Sequence, residues 1–409
     1  IHQHGEFEQS GPGTPAHPQP ASNYSPGLPL LTGALFEIAG DDDVRLVRVL
    51  LALIGTIAIP LVFLIGRRLS PWPPDSNRTF AAAVSGAAFC AFYPTLVSYS
   101  QMLLTEPLAG TLIAGGLLAV LRARDQDRLL PWLGAGFLLG LATMVRPEYL
   151  LVFAVLAATL ALVERHGGFR HAAAPAAMML LGVLLVIAPW TIRNFAEFQR
   201  VVPLSTGGGQ ALYSGSYVAS GGNPTKVVPD LLARQTGIRA ELAAQNRISG
   251  EGPGSVTPER VFSLLAERTL PHLETDEALS RLGRERYADE LRRDPAGLFA
   301  FLGHKTLRIW WRGRSDLMHH FAGPPFHRLI ILAALAGLLS LAFRRRTEFW
   351  IFAAVVVTVT VIGTVLVASP RRALVLWPLV SVFAGLGLTI AFTLARDRLQ
   401  RRRRPVAIA

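Results

Sequence analysis

The chain alternates long apolar runs with short polar gaps, and the runs set the expected fold. A helix needs about 20 apolar residues to cross the hydrocarbon core of a bilayer. Nine stretches read as such spans, at roughly 46–66, 80–98, 104–121, 130–146, 148–163, 173–190, 328–343, 349–368 and 373–395. Several are short and carry Pro60, Pro94, Gly115 or Gly116, which membrane helices tolerate better than soluble ones. The pattern predicts an all-α polytopic membrane protein with about nine transmembrane helices.

Arginine collects in alternate gaps. One set holds Arg67, Arg68 and Arg78, then Arg122, Arg124 and Arg128, then Arg165 and Arg170, then Arg344 to Arg346, and finally Arg396, Arg398 and Arg401 to Arg404. Positive charge marks the cytoplasmic side, so residues 396–409 read as a basic cytoplasmic tail. The other face then carries residues 1–45, the Ser100–Glu106 and Arg146–Glu148 turns, the segment 191–327, and the Ser369–Arg372 turn. This divides the chain into a loop at 1–45, spans at 46–190, an extracytoplasmic domain at 191–327 and C-terminal spans at 328–395. Residues 1–27 read as irregular polar chain, broken by Pro12, Pro15, Pro18, Pro20 and Pro26. An upstream span is expected to deliver them to the outer side of a cell inner (plasma) membrane.

The segment 191–327 reads as helical. Leu231, Leu232, Ile238 and Leu242 recur near helical spacing over Pro229–Ile248. Thr257 before Pro258 looks like an N-cap with proline in the first turn, opening a helix through Leu270. Thr275, Asp276 and Glu277 open a charged helix that ends before Pro295. Pro295–Trp311 sets apolar residues against Lys305, Arg308 and Arg312 and ends on two tryptophans, which suits a helix lying in the membrane interface.

Net charge of +12 raises nucleic acid as a partner. Of 40 Lys+Arg residues only Lys226 and Lys305 are lysine, leaving 38 arginines, many of them in gaps between apolar runs. That is the distribution of membrane loops, not of a nucleic-acid face. Cys90 is the only cysteine and lies in an apolar run, so no intramolecular disulfide forms.

The candidate chemistry sits on the arginine-poor face. Glu106 stands at the mouth of an apolar helix in Leu103-Leu104-Thr105-Glu106-Pro107. It reads either as an acid satisfied by the helix N-terminus or as a site residue. Arg371 and Arg372 follow Ser369-Pro370, against the positive-inside trend. Guanidinium binds phosphate in a bidentate manner, so this pair points to an anion; the plainer reading is boundary anchoring. Arg146 and Arg193 lie at the same level. Gly207 and Gly208, in Ser205-Thr206-Gly207-Gly208-Gly209-Gln210, can bend into a nest of N–H groups or serve as a turn. His2, His4 and His17 lie in the proline-rich opening without partnered carboxylates and read as solvated.

Together these residues resemble the GT-C membrane glycosyltransferases of the dolichyl-phosphate-mannose protein mannosyltransferase and aminoarabinose transferase type, glycosyltransferase family 39. The resembling stretches are Asn23-Tyr24-Ser25-Pro26-Gly27-Leu28-Pro29, Arg48 to Leu69, Tyr99-Ser100 to Pro107, Arg146-Pro147-Glu148, Pro189 to Asn194, Pro203 to Tyr213, Pro295 to Trp311, and Arg371 to Pro378, in that order. Arg372 departs from the pattern, standing where an aromatic is usual.

The resemblance implies transfer of a sugar from a polyprenyl-phosphate donor to a cell-envelope acceptor at the outer face. Glu106 matches the family's second acidic position, aligning the acceptor or a divalent cation, and is the one metal-ligand candidate. Arg371, Arg372 and Arg193 are then the donor-phosphate ligands, with Tyr24, Arg146, Gly207 and Gly208 against substrate. The main catalytic base is expected upstream of residue 1; Glu6 and Glu8 lie in the right loop but lack its motif. Two other classes remain open: a transporter or lipid flippase, for which charges near mid-membrane are expected, and a catalytically inactive scaffold of the same fold.

Overall fold

The computed structural model describes residues 8–9, 19–20, 24–100, 102–126, 128–164, 169–221, 224–249, 258–311 and 323–403. His2, His4, Glu6, His17, Arg165, Thr257 and Arg404 lie outside the described residues. Nearly all the rest is helix. In chain order the helices are α1 (Gly27–Ala39), α2 (Val44–Leu69), α3 (Asn77–Phe92), α4 (Pro94–Ser100), α5 (Thr105–Ala123), α6 (Leu130–Val145), α7 (Tyr149–Val163), α8 (Phe169–Phe198) and α9 (Gly208–Gly215). They continue with α10 (Pro224–Arg234), α11 (Thr236–Ser249), α12 (Pro258–Thr269), α13 (Thr275–Arg293), α14 (Pro295–Trp311), α15 (Gly323–Arg344), α16 (Arg346–Val365), α17 (Arg371–Leu374) and α18 (Trp377–Arg403).

Every apolar stretch read from the sequence falls largely on helix, and helix length and composition alone mark fewer than nine of them as spans. Among the described residues six helices are long and apolar enough to cross a membrane. Counted as one span, the bent pair α3–α4 makes seven; it turns by 52° where Pro94 removes a backbone donor. α6 and α7 have 16 and 15 residues, about 24 and 22 Å at 1.5 Å per residue, short of a hydrocarbon core of about 30 Å.

They nevertheless run the length of the bundle. At one end Arg124 pairs with Glu164 at 2.9 Å and Glu348 at 3.5 Å, and Arg345 reaches Glu348 at 3.8 Å. At the other, Arg146 between α6 and α7 meets Glu106 at the head of α5. The two ends are those separated by the arginine pattern.

α18 forms the axis of the C-terminal half. Its residues Trp377 to Phe383 are almost wholly buried, and it packs on α3 and α15 through Gly385 and Gly387. A Cβ on Gly387 would stand 2.0 Å from the Ala333 carbonyl, and one on Gly385 2.3 Å from that of Ala82. Helix backbones come this close in membranes only across small residues.

Two local expectations change. Gly27–Ala39, inside the stretch read as a loop, is a 13-residue helix closed by Gly40 in the left-handed region, where glycine carries no Cβ penalty. The stretch 229–248 is two helices rather than one, divided at Gln235 ahead of Thr236 and Gly237, both weak helix formers. Leu231, Ile238, Leu242, Phe262, Leu265 and Leu279 of α10 to α13 close a second buried cluster, separate from the bundle core.

Candidate functional site

The site is assembled at helix ends. Glu106 lies in the first turn of α5, capped by Leu104 with no side-chain cap bond. α6 ends at Val145, and Arg146 and Glu148 turn the chain into α7. α16 stops at Val365, the chain runs irregularly to Pro370, and the short α17 opens on Arg371. Pro370, whose fixed φ already suits a helix, is the N-cap of α17.

These ends meet in one ionic chain. The Arg371 Nε donates to Glu106 Oε1 at 2.7 Å. Arg146 reaches the same Glu106 oxygen at 3.6 Å and Glu148 Oε1 at 2.8 Å. The Arg372 guanidinium donates to that Glu148 oxygen at 3.0 Å, and its Nε to the Val367 carbonyl at 3.0 Å. The order Arg371, Glu106, Arg146, Glu148, Arg372 alternates in sign throughout.

Exposure within the chain is uneven. The Glu106 side chain is 1% exposed and its Oε2 has no hydrogen-bond partner, whereas the Arg371 side chain is 37% exposed. Burial alone would raise the Glu148 carboxyl, but Arg146 and Arg372 hold it below its usual value. Burial pulls the Arg372 guanidinium down and Glu148 resists. Charged hydrogen bonds of this kind are about twice as strong as neutral ones.

A cavity of about 850 Å³ opens over this chain. Its walls include Tyr24, Glu106, Arg146, Glu148, Gly207, Gly208, Arg371 and Arg372. It is large enough for a sugar phosphate, in the range of small-molecule sites of about 300–1,000 Å³.

Seven of the eight residues singled out from the sequence thus line one cavity. Arg193 does not: its guanidinium lies over Trp190 and Phe198, 5.2 and 5.7 Å from their ring centres, and donates to Asn194 Oδ1 at 3.2 Å. The glycine run is the N-terminal turn of α9 rather than an open nest. The Gly209 N–H is taken by Asp276 Oδ1 at 2.7 Å, leaving Gly207 and Gly208 as wall.

Glu148, named in the sequence only through its neighbour Arg146, is the junction of two arginines. The signal for it was a carboxylate two residues from a candidate arginine, at the same turn.

A divalent cation finds little here. Among the described residues no group of three or more metal-ligating side chains comes together. Both cavity carboxylates are already engaged by guanidinium groups. The donor set does not fit a metal at Glu106.

Residues 17–192 match the family model described as Dolichyl-phosphate-mannose-protein mannosyltransferase. No curated protein matches the chain in sequence. Among solved structures, the chain is similar to the archaeal oligosaccharyltransferase AglB from Archaeoglobus fulgidus in complex with an inhibitory peptide and a dolichol-phosphate, with 15% identity and a TM-score of 0.50 over 94% of this chain and 44% of that one. The apo form of the Archaeoglobus fulgidus oligosaccharyltransferase matches with 17% identity and a TM-score of 0.50, over 94% of this chain and 46% of that one. The chain spans less than half the length of these structures. Its fold is of the GT-C type.

Proposed function

We propose, from the premise of a GT-C membrane fold, that this chain is part of a glycosyltransferase that moves a sugar from a polyprenyl-phosphate donor to a cell-envelope acceptor. The observation that carries the reading is the cavity itself: three arginines and two carboxylates at helix ends, which leaves one positive charge in excess. A lipid-linked phosphate has its charged group at this depth. The solved AglB complex, described as holding a dolichol-phosphate, supports the same donor class.

The residues divide the work as follows. Arg371 and Arg372 bind the donor phosphate and stabilise it as it leaves, since charge develops on its oxygens while the anomeric bond breaks. Glu106 fixes where the Arg371 guanidinium stands, and Glu148, itself held by Arg146, fixes that of Arg372. Gly207 and Gly208 admit the sugar or acceptor close to backbone, and Tyr24 closes the rim. Neither Glu106 nor Glu148 is assigned the base that removes the acceptor proton, because both are held by guanidinium partners.

We place the cavity on the extracytoplasmic side of the cell's inner (plasma) membrane. Support comes from Arg67, Arg68, Arg122, Arg124 and Arg344 to Arg346, which crowd the ends of the bundle away from it. The gathering of ionisable residues at helix ends favours an enzyme over a transporter or flippase, for which charges at mid-depth are expected.

The test is donor-dependent transfer by the full-length protein in reconstituted membranes. A charge-assisted bond to phosphate is worth about 1.5–3 kcal/mol, so Arg371→Ala or Arg372→Ala should lower donor use roughly 10- to 100-fold. Lysine keeps charge without the bidentate fork and should recover part of it. Turnover within about twofold of the parent in all four well-expressed variants, far below a tenfold effect, would refute the phosphate role.

A further inference from the structure

Lys305, on α14, is 1% exposed. Its Nζ donates to the Gly215 carbonyl at 2.7 Å and the Leu366 carbonyl at 2.8 Å, with Val365 O at 3.5 Å and the Tyr287 hydroxyl at 3.2 Å. The Tyr287 hydroxyl in turn lies 2.6 Å from Val365 O and 2.9 Å from Gly215 O, and donates to one of them at a time.

These carbonyls have a common origin. Gly215 is the last residue of α9 and Val365 the last of α16. A helix ends on carbonyls without intrahelical partners, and its C-terminus carries about half a negative charge. Two such ends converge on one ammonium, which explains how a lysine is held in the interior by neutral oxygens. Lysine is well suited to it, being a compact cation with three donors. Gly215 permits the meeting: a Cβ there would stand 2.4 Å from the Leu366 carbonyl.

Both clamped helices border the cavity. α9 contributes Gly207 and Gly208 near its start, and the chain leaving α16 contributes Leu366, Val367, Arg371 and Arg372. Arg372 is tied to this chain by its bond to the Val367 carbonyl.

We propose that Lys305 is a positioning residue for the cavity: by joining the C-terminal ends of α9 and α16 it sets the separation of two cavity walls and the stance of Arg371 and Arg372. This rests on the reading of those arginines as donor-phosphate ligands. Lys305 touches no substrate and acts only through the turn at 366–370. Tyr287 supports the same two carbonyls.

Two measurements on the full-length, membrane-reconstituted protein test this. The first is amide hydrogen exchange of segment 365–372. Lys305→Met should speed it about tenfold, with Tyr287→Phe intermediate. The second is kinetic. Lys305→Met should raise the donor KM about fivefold and leave the acceptor KM within about twofold. A purely structural loss would lower the amount of active protein with both KM values unchanged.

If Lys305→Met does not fold, Tyr287→Phe carries the test, because the ammonium stays. Unchanged exchange at 365–372 in every folded variant, or an unchanged donor KM beside a lowered kcat, overturns the proposal. If the parent itself transfers no sugar, the functional reading falls, while exchange still decides whether Lys305 holds the turn.

Discussion

Arg371 and Glu106, 265 residues apart in the chain, meet in a 2.7 Å charge-assisted hydrogen bond. The arginine is the most open member of its ionic chain and the glutamate the most enclosed. Arg371 therefore presents donors to the cavity while its position is fixed from beneath. Removing one partner of a buried pair leaves the other charge uncompensated, which costs far more than the pair contributes.

A double-mutant cycle measures that dependence. Glu106→Gln and Arg371→Ala should each destabilise the protein, Glu106→Gln the less because it keeps the volume. The pair should show a coupling energy of about 1–3 kcal/mol. Strict additivity in thermal unfolding of the four proteins would mean the contact carries no energy.

Glu148 is shared by Arg146 and Arg372, so its charge controls two cations at once. Glu148→Gln raises the excess of positive charge in the cavity by one. Product-like polyprenyl phosphate should then bind about fivefold more tightly, a Coulomb effect of roughly 1 kcal/mol. Transfer should slow, because Arg372 loses its anchor. Equilibrium binding of polyprenyl phosphate to parent and variant checks this; weaker binding to the variant contradicts it.

Lys305 gives a pH dependence with a definite sign. Burial, then Arg372 and Arg308, pull its ammonium down to about 7 from the ordinary lysine value near 10.5. Between those values the unfolded chain holds a proton that the folded protein has released, so stability attributable to Lys305 rises with pH across the window and is lost as pH falls through about 7; the two helix ends are joined by the ammonium below about 7 and by the neutral amine, still a donor, above it. Unfolding temperatures of the parent relative to Lys305→Met should climb from pH 7 to about pH 10. A flat difference would mean the lysine keeps an ordinary proton affinity.

Topology is checked by reporter fusions. Those after Arg124 and Arg345 should report cytoplasm, and one near Pro370 the outside. The pairing of Arg124 with Glu164 and Glu348 already puts three gaps at one end. An outside signal at Arg345 would reverse the assignment of the active face.

Much of the molecule was legible in the amino-acid order. Apolar runs marked the long helices of the bundle, because a lipid-facing segment must satisfy its backbone within itself. Arginine marked the two ends, since charge cannot rest in hydrocarbon. α13 and α14 opened where Thr275 and Pro295 predicted, and the Asp294 carboxylate caps α14 by accepting from the Gly297 N–H. The helix at Gly27–Ala39 was hidden by the prolines before it, and the break at Gln235 by apolar spacing that continued across it.

Sequence alone thus determined the membrane class, the helix positions and the face on which polar residues gather, because each depends on neighbours within a turn or a bilayer thickness. Tertiary structure decided the rest. That Glu106, Arg146, Glu148, Arg371 and Arg372 form one alternating chain depends on which helix ends are adjacent, as does the turning of Arg193 away onto Trp190 and Phe198. The burial of Lys305 against two helix ends depends on α9 and α16 meeting at Gly215. Spacing along a chain carries local periodicity and charge; which distant carboxylate neutralises which arginine is fixed only when helices pack and water is excluded between them.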